Sequence, residues 1–399
     1  MNDKNITFSF VGDISFARDL REEYSKKNYE DIFDNTVEKL NKSDVTVINL
    51  ECAFHPKKNK INPKMSKYGK FPLIAEAKAI RCLKRLNTNK NKLIVSLANN
   101  HILDAGPQYV NFMVRTIKKM TSPNGKSKPK VIGICNGCNR LKNNTSKKLK
   151  NNTSKKLSCE DLEINDNLSY KIITVKGVRI AILGLSEWFP RFVNENMYKD
   201  RIKYKSDKVP CIFYGPGKDN YKMDLLRKII QRLKNKVRTI IAYVHFRKEY
   251  DYLTPKVNLN IAEILTSYGI DLVVGSGPHV IHKLTIINNK PCFMSLGNFV
   301  FDSHVNNNIV GNRIKKQIKT LKSQGKYKDS IKKRTHTSKI LHLNMNIIDD
   351  KIKWQYRYLD CSINNIGVPS IKKENEWRET ENYKLASDKI TKKLNRFFE

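Results

Sequence analysis

Short apolar runs rich in β-branched residues alternate with stretches of helical periodicity along this chain. Compact apolar runs favour strands, whereas apolar residues three and four positions apart favour amphipathic helices. The pattern predicts strands at residues 6–11, 45–50, 93–98, 130–134, 170–175, 178–185, 238–244, 271–275, 281–287 and 291–296. It predicts helices at residues 30–42, 73–86, 106–120, 221–235 and 257–268. Strands that alternate with helices in this way are typical of an α/β protein.

Two pairs of neighbouring strands are joined by two-residue connections, which is the pattern of β-hairpins. Strands 170–175 and 178–185 form one pair, and strands 339–348 and 351–359 form the other. Because the strands of a hairpin run antiparallel, the sheet system cannot be wholly parallel. The sequence therefore predicts two sheets packed together, with helices on the outside.

The length of 399 residues allows one large domain with appendages or two domains. We assign residues 1–365 to one domain that carries two basic insertions. The first insertion, 142–157, is a tandem copy of one Lys- and Asn-rich unit, and the second spans 306–338. Both offer little apolar surface and are expected to be flexible. The tail 366–399 is predicted to form an amphipathic helix lying on the domain, with a partner-binding helix as the alternative.

Just over half of the formal net charge of +38 lies in two stretches. Residues 121–158 carry ten Lys and Arg and no acid, and residues 312–339 carry eleven with one acid. Solvated lysine-rich loops and an electrostatic surface for a polyanion both fit this distribution, and both remain open. Nucleic acid ranks last among the polyanions, because the sequence contains no RNA- or DNA-binding motif.

Cysteine usage and hydropathy indicate the compartment. The eight cysteines are dispersed and several lie in apolar runs, which fits a reducing compartment better than a disulfide framework. Cys135 and Cys138 lack a second such pair, so they are weak evidence for a metal or redox site. We see no signal peptide before the first strand and no apolar run long enough for a membrane span. The chain as given is expected to be cytoplasmic, with peripheral membrane association as an alternative.

Polar residues of metal-ligating types follow five of the predicted strands. Open α/β sheets bind ligands at the edge where the carboxyl ends of their strands lie, so we expect one common site there. Carboxylate, amide and imidazole groups together suit a divalent ion. The residues in these positions are Asp13, Glu51, Asn100, His245 and His279.

Each of these positions also has a structural interpretation when it is taken alone. Asp13 could cap a following helix, and Glu51 could pair with one of the many lysines. A single histidine at a strand end is more often structural than metal-bound, so the joint placement carries the prediction. His101 follows the Asn100 position, and Asp104 could orient its imidazole for general acid catalysis or charge stabilisation.

Six short motifs resemble those of the capsule-synthesis protein family CapA, also called PgsA in poly-γ-glutamate synthesis. That family is similar to the calcineurin-like metallophosphoesterases. The motifs keep the family's order and rough spacing over residues 1–302, about three-quarters of the chain. They are FVGDISF around Asp13, NLE at 49–51, SLANNHILDAG at 96–106, HFRKEY at 245–250, GSGPHV at 275–280 and SLGNFVFD at 295–302.

The resemblance implies a four-layer α/β/β/α sandwich of metallophosphoesterase type. It implies that Asp13, Glu51, Asn100, His245 and His279 bind one or two divalent ions of Mn, Fe, Zn or Mg. It also implies that His101 acts as the acid or charge-stabilising residue, with Asp104 beside it. Further residues of these motifs are expected to contact substrate, namely Asn99, Arg247, Glu249 and Asn298.

Two positions depart from the family pattern. Gly277 stands where the family has the first His of an H-P-H motif, and Arg247 stands where it has the Gly of H-W-G-x-E-Y. A missing ligand and an added positive charge are expected to weaken binding of a second metal. Arg247 could instead hold a phosphate or carboxylate group of a substrate.

Two functions follow from these expectations and remain open. The first is a protein of capsule or poly-γ-glutamate synthesis with a metal-dependent hydrolase site of phosphoesterase type. The alternative is a non-catalytic protein that binds a polyanion and retains a decayed metal site. The expected partners are an anionic polymer or a phosphorylated substrate, together with membrane-bound synthesis subunits.

Overall fold

Two β-sheets organise the chain in its computed structural model, which describes residues 3–56, 72–88, 90–106, 108–122, 125, 127–136, 170–187, 208–210, 220–302, 312–325 and 329–380. The strands are β1 (Lys4–Ile14), β2 (Val45–Leu50), β3 (Ala53–His55), β4 (Ile74–Glu76), β5 (Lys92–Ser96), β6 (Lys130–Ile132), β7 (Ile134–Asn136), β8 (Tyr170–Val175), β9 (Val178–Ser186), β10 (Lys208–Pro210), β11 (Thr239–His245), β12 (Leu272–Ser276), β13 (Ile281–Ile287), β14 (Lys290–Leu296), β15 (Asn298–Val300), β16 (Thr337–Ile348), β17 (Lys351–Ile363), β18 (Pro369–Glu374) and β19 (Arg378–Glu379). The α-helices are α1 (Arg18–Tyr24), α2 (Val37–Asn41), α3 (Gln108–Lys119), α4 (Asn220–Lys234), α5 (Lys256–Tyr268), α6 (Asn312–Ser323) and α7 (Ile331–Thr335). Two 3₁₀ helices span Tyr29–Phe33 and Ala77–Leu86.

The larger sheet has nine strands among the described residues, in the order β18-β17-β16-β1-β2-β5-β6, with β15 beside β1 and β19 beside β17. Strands β1, β2, β5 and β6 run parallel to one another. Strand β1 pairs antiparallel with β16, which forms a hairpin with β17. The parallel half of this sheet therefore presents the carboxyl ends of β1, β2 and β5 at one edge.

The smaller sheet has six strands in the described part of the chain, in the order β13-β14-β12-β11-β9-β8. Strands β9, β11, β12 and β14 run parallel, and the antiparallel strands β8 and β13 lie at its two edges. Each sheet thus contains one of the two predicted hairpins, β8–β9 and β16–β17. The chain is a mixed α/β protein with several sheets and helices.

A buried apolar core lies between the two sheets. Phe8 and Phe10 of β1 belong to the same cluster as Tyr243 of β11 and Phe293 of β14. The rings of Phe10 and Tyr243 stack with their centroids 6.2 Å apart. Because successive side chains of a strand point to opposite faces, each sheet has a second face to cover.

Helices cover those second faces. Val11 of β1 clusters with residues of α1, of α3 and of both 3₁₀ helices on the outside of the larger sheet. Ala242 and Val244 of β11 cluster with residues of α4 and α5 on the outside of the smaller sheet. Strand β11 is therefore apolar on both faces, which explains its continuous apolar sequence.

Two predicted helices differ from the observed elements. The segment 30–42 divides into a 3₁₀ helix and α2, because Thr36 has φ −136° and its hydroxyl donates a hydrogen bond to the Phe33 carbonyl. The segment 73–86 begins as the extended strand β4, which pairs with β3, and continues as a 3₁₀ helix. The spacing of apolar residues predicted that these segments are buried. It did not distinguish an α-helix from a 3₁₀ helix or from a short strand.

The second basic insertion, 306–338, contains helices α6 and α7 in its described part. The tail begins with β18 and β19, which both pair with β17 and so extend the larger sheet. The tandem copy at 142–157 and the predicted helix at 383–397 lie outside the described residues.

Membrane-spanning helices are absent from the described residues, because none of their helices is long and apolar enough to cross a bilayer. Four cysteines of the described residues are free and buried, and they are Cys52, Cys82, Cys292 and Cys361.

Candidate metal centre

The carboxyl ends of strands from both sheets meet at one place. Asp13 of β1 aligns with Asn49 of β2, and Asn49 aligns with Ser96 of β5. In the smaller sheet, His245 of β11 aligns with Ser276 of β12. Side chains at these strand ends therefore lie at one level and face each other across the sheet interface.

Gly12 allows β1 to reach this place. A Cβ atom at Gly12 would lie 1.8 Å from the carbonyl oxygen of Gly297, so no side chain fits at this position. The close approach lets the Asp13 amide donate a hydrogen bond of 3.1 Å to that same carbonyl. Asp13 then aligns with Asn298 of β15. The Gly-Asp pair is thus needed to bring the carboxylate between the two sheets.

Asp13 is fully buried and accepts hydrogen bonds from two sides. The Asn49 amide donates to Oδ1 at 2.8 Å, and the backbone amide of Gly277 donates to Oδ2 at 2.9 Å. Nδ1 of His245 lies 3.7 Å from Oδ1, and Nδ1 of His279 lies 3.4 Å from Oδ2. These contacts fix the Asp13 carboxylate between the two imidazoles.

Glu51 is also fully buried, yet neither of its carboxylate oxygens has a hydrogen-bond partner among the described residues. Its Oε1 lies 3.5 Å from Nε2 of His245 and 3.7 Å from Nε2 of His279, beyond a normal hydrogen bond. Burying a carboxylate without a partner is costly. The side chain therefore lacks the group that would normally stabilise it.

An asparagine network holds the strand ends together. The Asn99 amide donates to Oδ1 of Asn49 at 3.1 Å and to the Leu50 carbonyl at 2.9 Å. Oδ1 of Asn99 accepts from the His101 backbone amide at 3.1 Å. All polar groups of this buried side chain are therefore used inside the protein. Asn99, which is expected to contact substrate, thus also holds the loop that carries His101.

His245 lies between Asn100 and the buried carboxylates. Its Nε2 is 2.9 Å from Oδ1 of Asn100, and its Nδ1 is 3.3 Å from the Ser276 hydroxyl. The amide oxygen of Asn100 thus faces the imidazole of His245, which itself lies beside Glu51 and Asp13. All five predicted ligands are brought to one place.

His279 is held on three sides. Its Nδ1 is 2.8 Å from Oδ1 of Asn298. The ring centroid lies 5.5 Å from that of Tyr250 and 4.8 Å from that of Phe301. Its backbone has φ 58°, a left-handed conformation that is costly for a non-glycine residue. The structure keeps this imidazole in one orientation, with Nε2 toward Glu51.

Burial and hydrogen bonding give the four groups very different proton affinities. Burial would raise the pKa of Asp13, but hydrogen bonds and charges from His245 and His279 hold it well below its usual range. Burial, followed by the negative charges of Asp13 and Glu249, raises the pKa of Glu51 well above its usual value. Burial lowers the pKa of His245, whereas contacts with Asp13 outweigh burial and raise the pKa of His279. Such divergence is common at functional sites.

The donor set fits a divalent ion. One ligand atom each from Asp13, Glu51 and His279 lie within 4.8 Å of one another, and all three residues are buried. Two carboxylates and an imidazole suit Mn, Fe, Zn or Mg. A cation held there would also give the carboxylate of Glu51 the partner that it lacks.

His101 and Asp104 form a dyad at the open side of the cluster. Nδ1 of His101 lies 2.6 Å from Oδ2 of Asp104, which also accepts a hydrogen bond from the Leu73 amide. Nε2 of His101 points toward Glu51, 4.0 Å from Oε1. The His101 side chain is 18% exposed, whereas that of Glu51 is 0% exposed. His101 is therefore placed between solvent and the buried groups.

Gly277 leaves no room for the histidine of the family motif. A Cβ atom there would lie 2.3 Å from the Phe246 carbonyl and 3.1 Å from Cε1 of His245. Its φ of 96° is also a conformation that side chains rarely adopt. In this backbone conformation, residue 277 contributes its amide to Asp13 and contributes no side-chain ligand.

Comparison with known protein families decides the assignment. The family described as bacterial capsule synthesis protein PGA_cap matches residues 7–122 and 161–303, more than half of the chain. The chain belongs to this family. The resemblance seen in its short motifs is therefore confirmed, and both matched ranges contain residues of the cluster.

Two relatives carry CapA names. The capsule biosynthesis protein CapA of Bacillus anthracis is 23% identical over 303 residues, which are 75% of this chain and 60% of the relative. The PGA biosynthesis protein CapA of Bacillus subtilis (strain 168) is 23% identical over 301 residues, 75% of this chain and 64% of the relative. The chain thus spans less than two-thirds of the length of these relatives.

A hypothetical protein from Thermus thermophilus superposes with a TM-score of 0.37 at 12% identity, over 94% of this chain and 99% of that chain. This TM-score is too low to establish a shared fold.

Three further predicted residues of this capsule synthesis family member lie around the cluster. Arg247 is exposed directly after β11, and its backbone amide donates to Glu187 at 2.9 Å. Glu249 is half-buried, and its charge contributes to the raised pKa of Glu51. Asn298, also expected to contact substrate, is fully buried, and its Oδ1 lies 2.8 Å from Nδ1 of His279.

Sequence reasoning missed Arg18. This half-buried residue is the first of α1 and has φ 59°, and its guanidinium donates to the Asp302 carbonyl at 3.3 Å. Its positive charge opposes the effects that raise the pKa of Glu51, so it lies close to that carboxylate. A lone Arg after the Gly-Asp motif carries no local signal for this placement. Contact with Asp302, far along the chain, brings it to the cluster.

Proposed function

We propose that this chain is a metal-dependent hydrolase of the capsule synthesis family, which cleaves a phosphoester or amide bond in an anionic substrate. The observation that supports the proposal most strongly is the buried carboxylate of Glu51, both of whose oxygens lack hydrogen-bond partners among the described residues. Asp13, Glu51 and His279 would hold one divalent ion, with His245 and Asn100 beside them. When bound, such an ion polarises the substrate and lowers the pKa of water.

We further propose that the layers form a four-layer α/β/β/α sandwich. The shared core of the two sheets and the helix clusters on their outer faces support this arrangement. It would place the ion at the edge where the parallel strands of both sheets end. Ligands bind at this edge in open α/β sheets.

His101 supplies the proton in this proposal. Its Nδ1 is held by the Asp104 carboxylate, which orients the ring and leaves Nε2 to face the cluster. From its partly exposed position, Nε2 would protonate the leaving oxygen or nitrogen as the bond breaks. A general acid in this role typically accelerates a reaction by about 10²–10⁴-fold.

One ion is proposed, and not two. The backbone at Gly277 has no space for a side-chain ligand, and its amide already donates to Asp13. The positively charged Arg247, exposed beside β11, also disfavours a second cation there. Arg247 is better suited to bind a phosphate or carboxylate group of the substrate.

Binding without catalysis is the second candidate function. Helix α6 exposes Lys315, Lys316, Lys319 and Lys322 to solvent, close to the loop that follows β11. Such a basic surface attracts polyanions whether or not a bond is cleaved. In that case the protein would bind an acidic polymer, and the metal cluster would stabilise the fold alone.

Metal content and hydrolysis of a generic phosphoester distinguish these functions. The hydrolase proposal predicts about one divalent ion per chain, held by Asp13, Glu51 and His279. It also predicts that His101→Ala retains the ion but lowers hydrolysis by about 10²–10⁴-fold. His342→Gln, which removes a buried histidine outside the cluster, is the matched control and should leave both unchanged. Absence of metal, or hydrolysis that is unaffected by His101→Ala, would contradict the proposal.

A further inference from the structure

The candidate ligand His279 is connected to the basic helices by one buried asparagine. Asn298 is 0% exposed, and its Oδ1 lies 2.8 Å from Nδ1 of His279. On its other side, its Nδ2 donates a hydrogen bond of 3.1 Å to the carbonyl oxygen of Thr335. Thr335 is the last residue of α7, in the segment that the sequence predicted to be a flexible insertion. A chain of two hydrogen bonds therefore joins that segment to the cluster.

The orientation of the Asn298 amide follows from what its neighbours can accept. A backbone carbonyl can accept a hydrogen bond but cannot donate one, so the amide nitrogen must face Thr335. The amide oxygen then faces His279, and Nδ1 of that ring must carry the hydrogen. Oδ2 of Asp13, 3.4 Å from the same nitrogen, is also an acceptor. Two independent acceptors thus favour the tautomer of His279 that carries its hydrogen on Nδ1.

This tautomer leaves Nε2 of His279 as the nitrogen available to a metal. Nε2 is 3.7 Å from Oε1 of Glu51, so its lone pair points into the cluster. Metal-bound histidines usually donate their other ring nitrogen to such a partner, which fixes the ring and increases its basicity. Asn298 is positioned for that role because its own amide is fixed by Thr335.

The position of the Thr335 carbonyl depends on the short helix α7. Ser330 caps this helix, and its hydroxyl oxygen accepts a hydrogen bond of 3.2 Å from the Lys333 amide. Ile331 is fully buried in a small cluster with Ile314 of α6 and the rings of Tyr250 and Tyr252. The helix is therefore anchored at its start and along its length, which keeps its last carbonyl in place.

The same segment also supports the opposite side of His279. The ring of Tyr250 stacks on that of His279, with centroids 5.5 Å apart. Two residues on, the Tyr252 amide donates to Oε1 of Gln317 on α6 at 3.2 Å, and its hydroxyl donates to the Asp329 carbonyl at 2.9 Å. Helices α6 and α7 thus fix both the hydrogen-bond partner and the stacking partner of the imidazole.

We propose that Asn298 is a positioning residue for His279, and that the α6–α7 segment sets the affinity of the cluster for a divalent ion through the Thr335 carbonyl. The proposal rests on the proposed function, because it requires that the cluster binds an ion. It assigns a structural task to part of a lysine-rich insertion that the sequence predicted to be flexible. Loosening α7 should therefore lower the affinity of the cluster for the ion, although every ligand residue is unchanged.

The test titrates the full chain with Mn²⁺, with free Mn²⁺ followed by its electron paramagnetic resonance signal. Asn298→Ala should lower the Mn²⁺ affinity by about 10–100-fold, as loss of such partners does elsewhere. Ser330→Ala, which removes the cap of α7, should lower it by about 3-fold, since only part of the loss of the cap reaches the site. Ser323→Ala at the exposed end of α6 is the matched control and should have no effect.

The absorption spectrum of bound Co²⁺ provides a second readout. It would not change on substitution of Asn298 if that residue only stabilised the fold. It should shift in Asn298→Ala, because the ring of His279 reorients, and it should stay constant in Ser323→Ala. If Asn298→Ala does not fold, Ser330→Ala decides the question. Unchanged affinity in the variant that folds, or a lower melting temperature without a change in affinity or spectrum, would overturn this inference alone. A wild-type chain that binds no Mn²⁺ would overturn the proposed function and this inference together.

Discussion

Strand β1 contributes to two buried polar clusters that contain histidine, one built with the carboxylates of Asp13 and Glu51 and the other with the hydroxyls of Ser9 and Ser43. At its end, Asp13 lies between His245 and His279 beside Glu51. In its middle, the Ser9 hydroxyl lies 2.6 Å from that of Ser43 and 3.3 Å from Nδ1 of His342.

The surroundings of the histidines make these two clusters different. Burial, followed by the charge of Arg357, lowers the pKa of His342 to about 4, so this ring is neutral and bonded to hydroxyls. At the end of the strand, the imidazoles lie beside two carboxylates, and Glu51 lacks any donor among the described residues. Burial of a histidine alone therefore does not indicate a metal site. The carboxylate of Glu51, which has no donor among the described residues, is what supports the proposed metal site at the end of the strand.

The largest effect is expected from Glu51→Gln. Removing this carboxylate should lower Mn²⁺ affinity by at least about 100-fold, the upper end of what even an outer-shell loss costs. It should leave the metal-free protein at least as stable, because an unpartnered buried acid is removed. Equilibrium dialysis and urea unfolding measure the two quantities.

Glu76→Gln is the matched control for this variant. Glu76 is also buried, but its Oε2 lies 3.3 Å from Lys78 and it does not belong to the cluster. Its substitution should leave Mn²⁺ affinity unchanged. Equal losses in the two variants would show that the cluster has no special relation to the ion.

Gly12→Ala should affect the carboxylate cluster at the end of β1 more than the His342 cluster in its middle. The added Cβ would lie 1.8 Å from the Gly297 carbonyl, so β1 and β15 must move apart at a cost of about 3 kcal/mol. Metal affinity should fall as well, since Asp13 and Asn298 are aligned by that pairing. Urea unfolding of the metal-free protein measures the stability change.

Gly125→Ala provides the comparison for Gly12→Ala. Gly125 has φ 72° but no atom within 4 Å of an added Cβ, so the change should cost only about 1 kcal/mol of backbone strain. It should not affect Mn²⁺ binding. A similar loss of affinity in both variants would mean that general destabilisation, and not strand alignment, controls the site.

His342 should make stability depend on pH. Its pKa is about 4 in the folded protein and ordinarily 6.5, so between these values the unfolded chain binds more protons. Stability therefore falls as the pH falls, by about 2 kcal/mol between pH 7.5 and pH 5. His342→Gln should remove this part of the pH dependence, as measured by urea unfolding at the two pH values. An unchanged pH dependence would contradict a neutral, buried His342.

The smallest effect is expected from Ser9→Ala. The change removes one hydroxyl that contacts Ser43 and His342, and should cost about 1 kcal/mol of unfolding free energy. Mn²⁺ affinity should remain that of the wild type, because no residue of the carboxylate cluster is touched. A change in affinity would show that the two clusters of β1 are coupled.

The sequence predicted the residues of the cluster because each follows a strand that its local pattern identifies. Asp13, Glu51 and His279 come after compact apolar runs, and such strand ends meet at one edge. Which ligand atoms face one another depends on the register between strands, as in the alignment of Asp13 with Asn298. That register follows from close packing and is not a property of any single run.

Other features could not be predicted because remote contacts create them. The sequence of α6 and α7 is rich in lysine, and its few apolar residues become meaningful only when Tyr250 and Tyr252 pack against them. The role of Arg18 likewise depends on the Asp302 carbonyl, almost three hundred residues away. The composition of the sequence shows that α6 and α7 are positively charged, but it contains no information about these contacts.

The position of β1 between β2 and β16 affects how the chain folds during synthesis. The partner of β1 on one side, Thr337–Ile348, leaves the ribosome long after β1 itself. Chains dominated by such distant pairings fold slowly and expose unpaired strand edges in the meantime. The nascent chain therefore has to keep the apolar strand β1 from aggregating until β16 has been made.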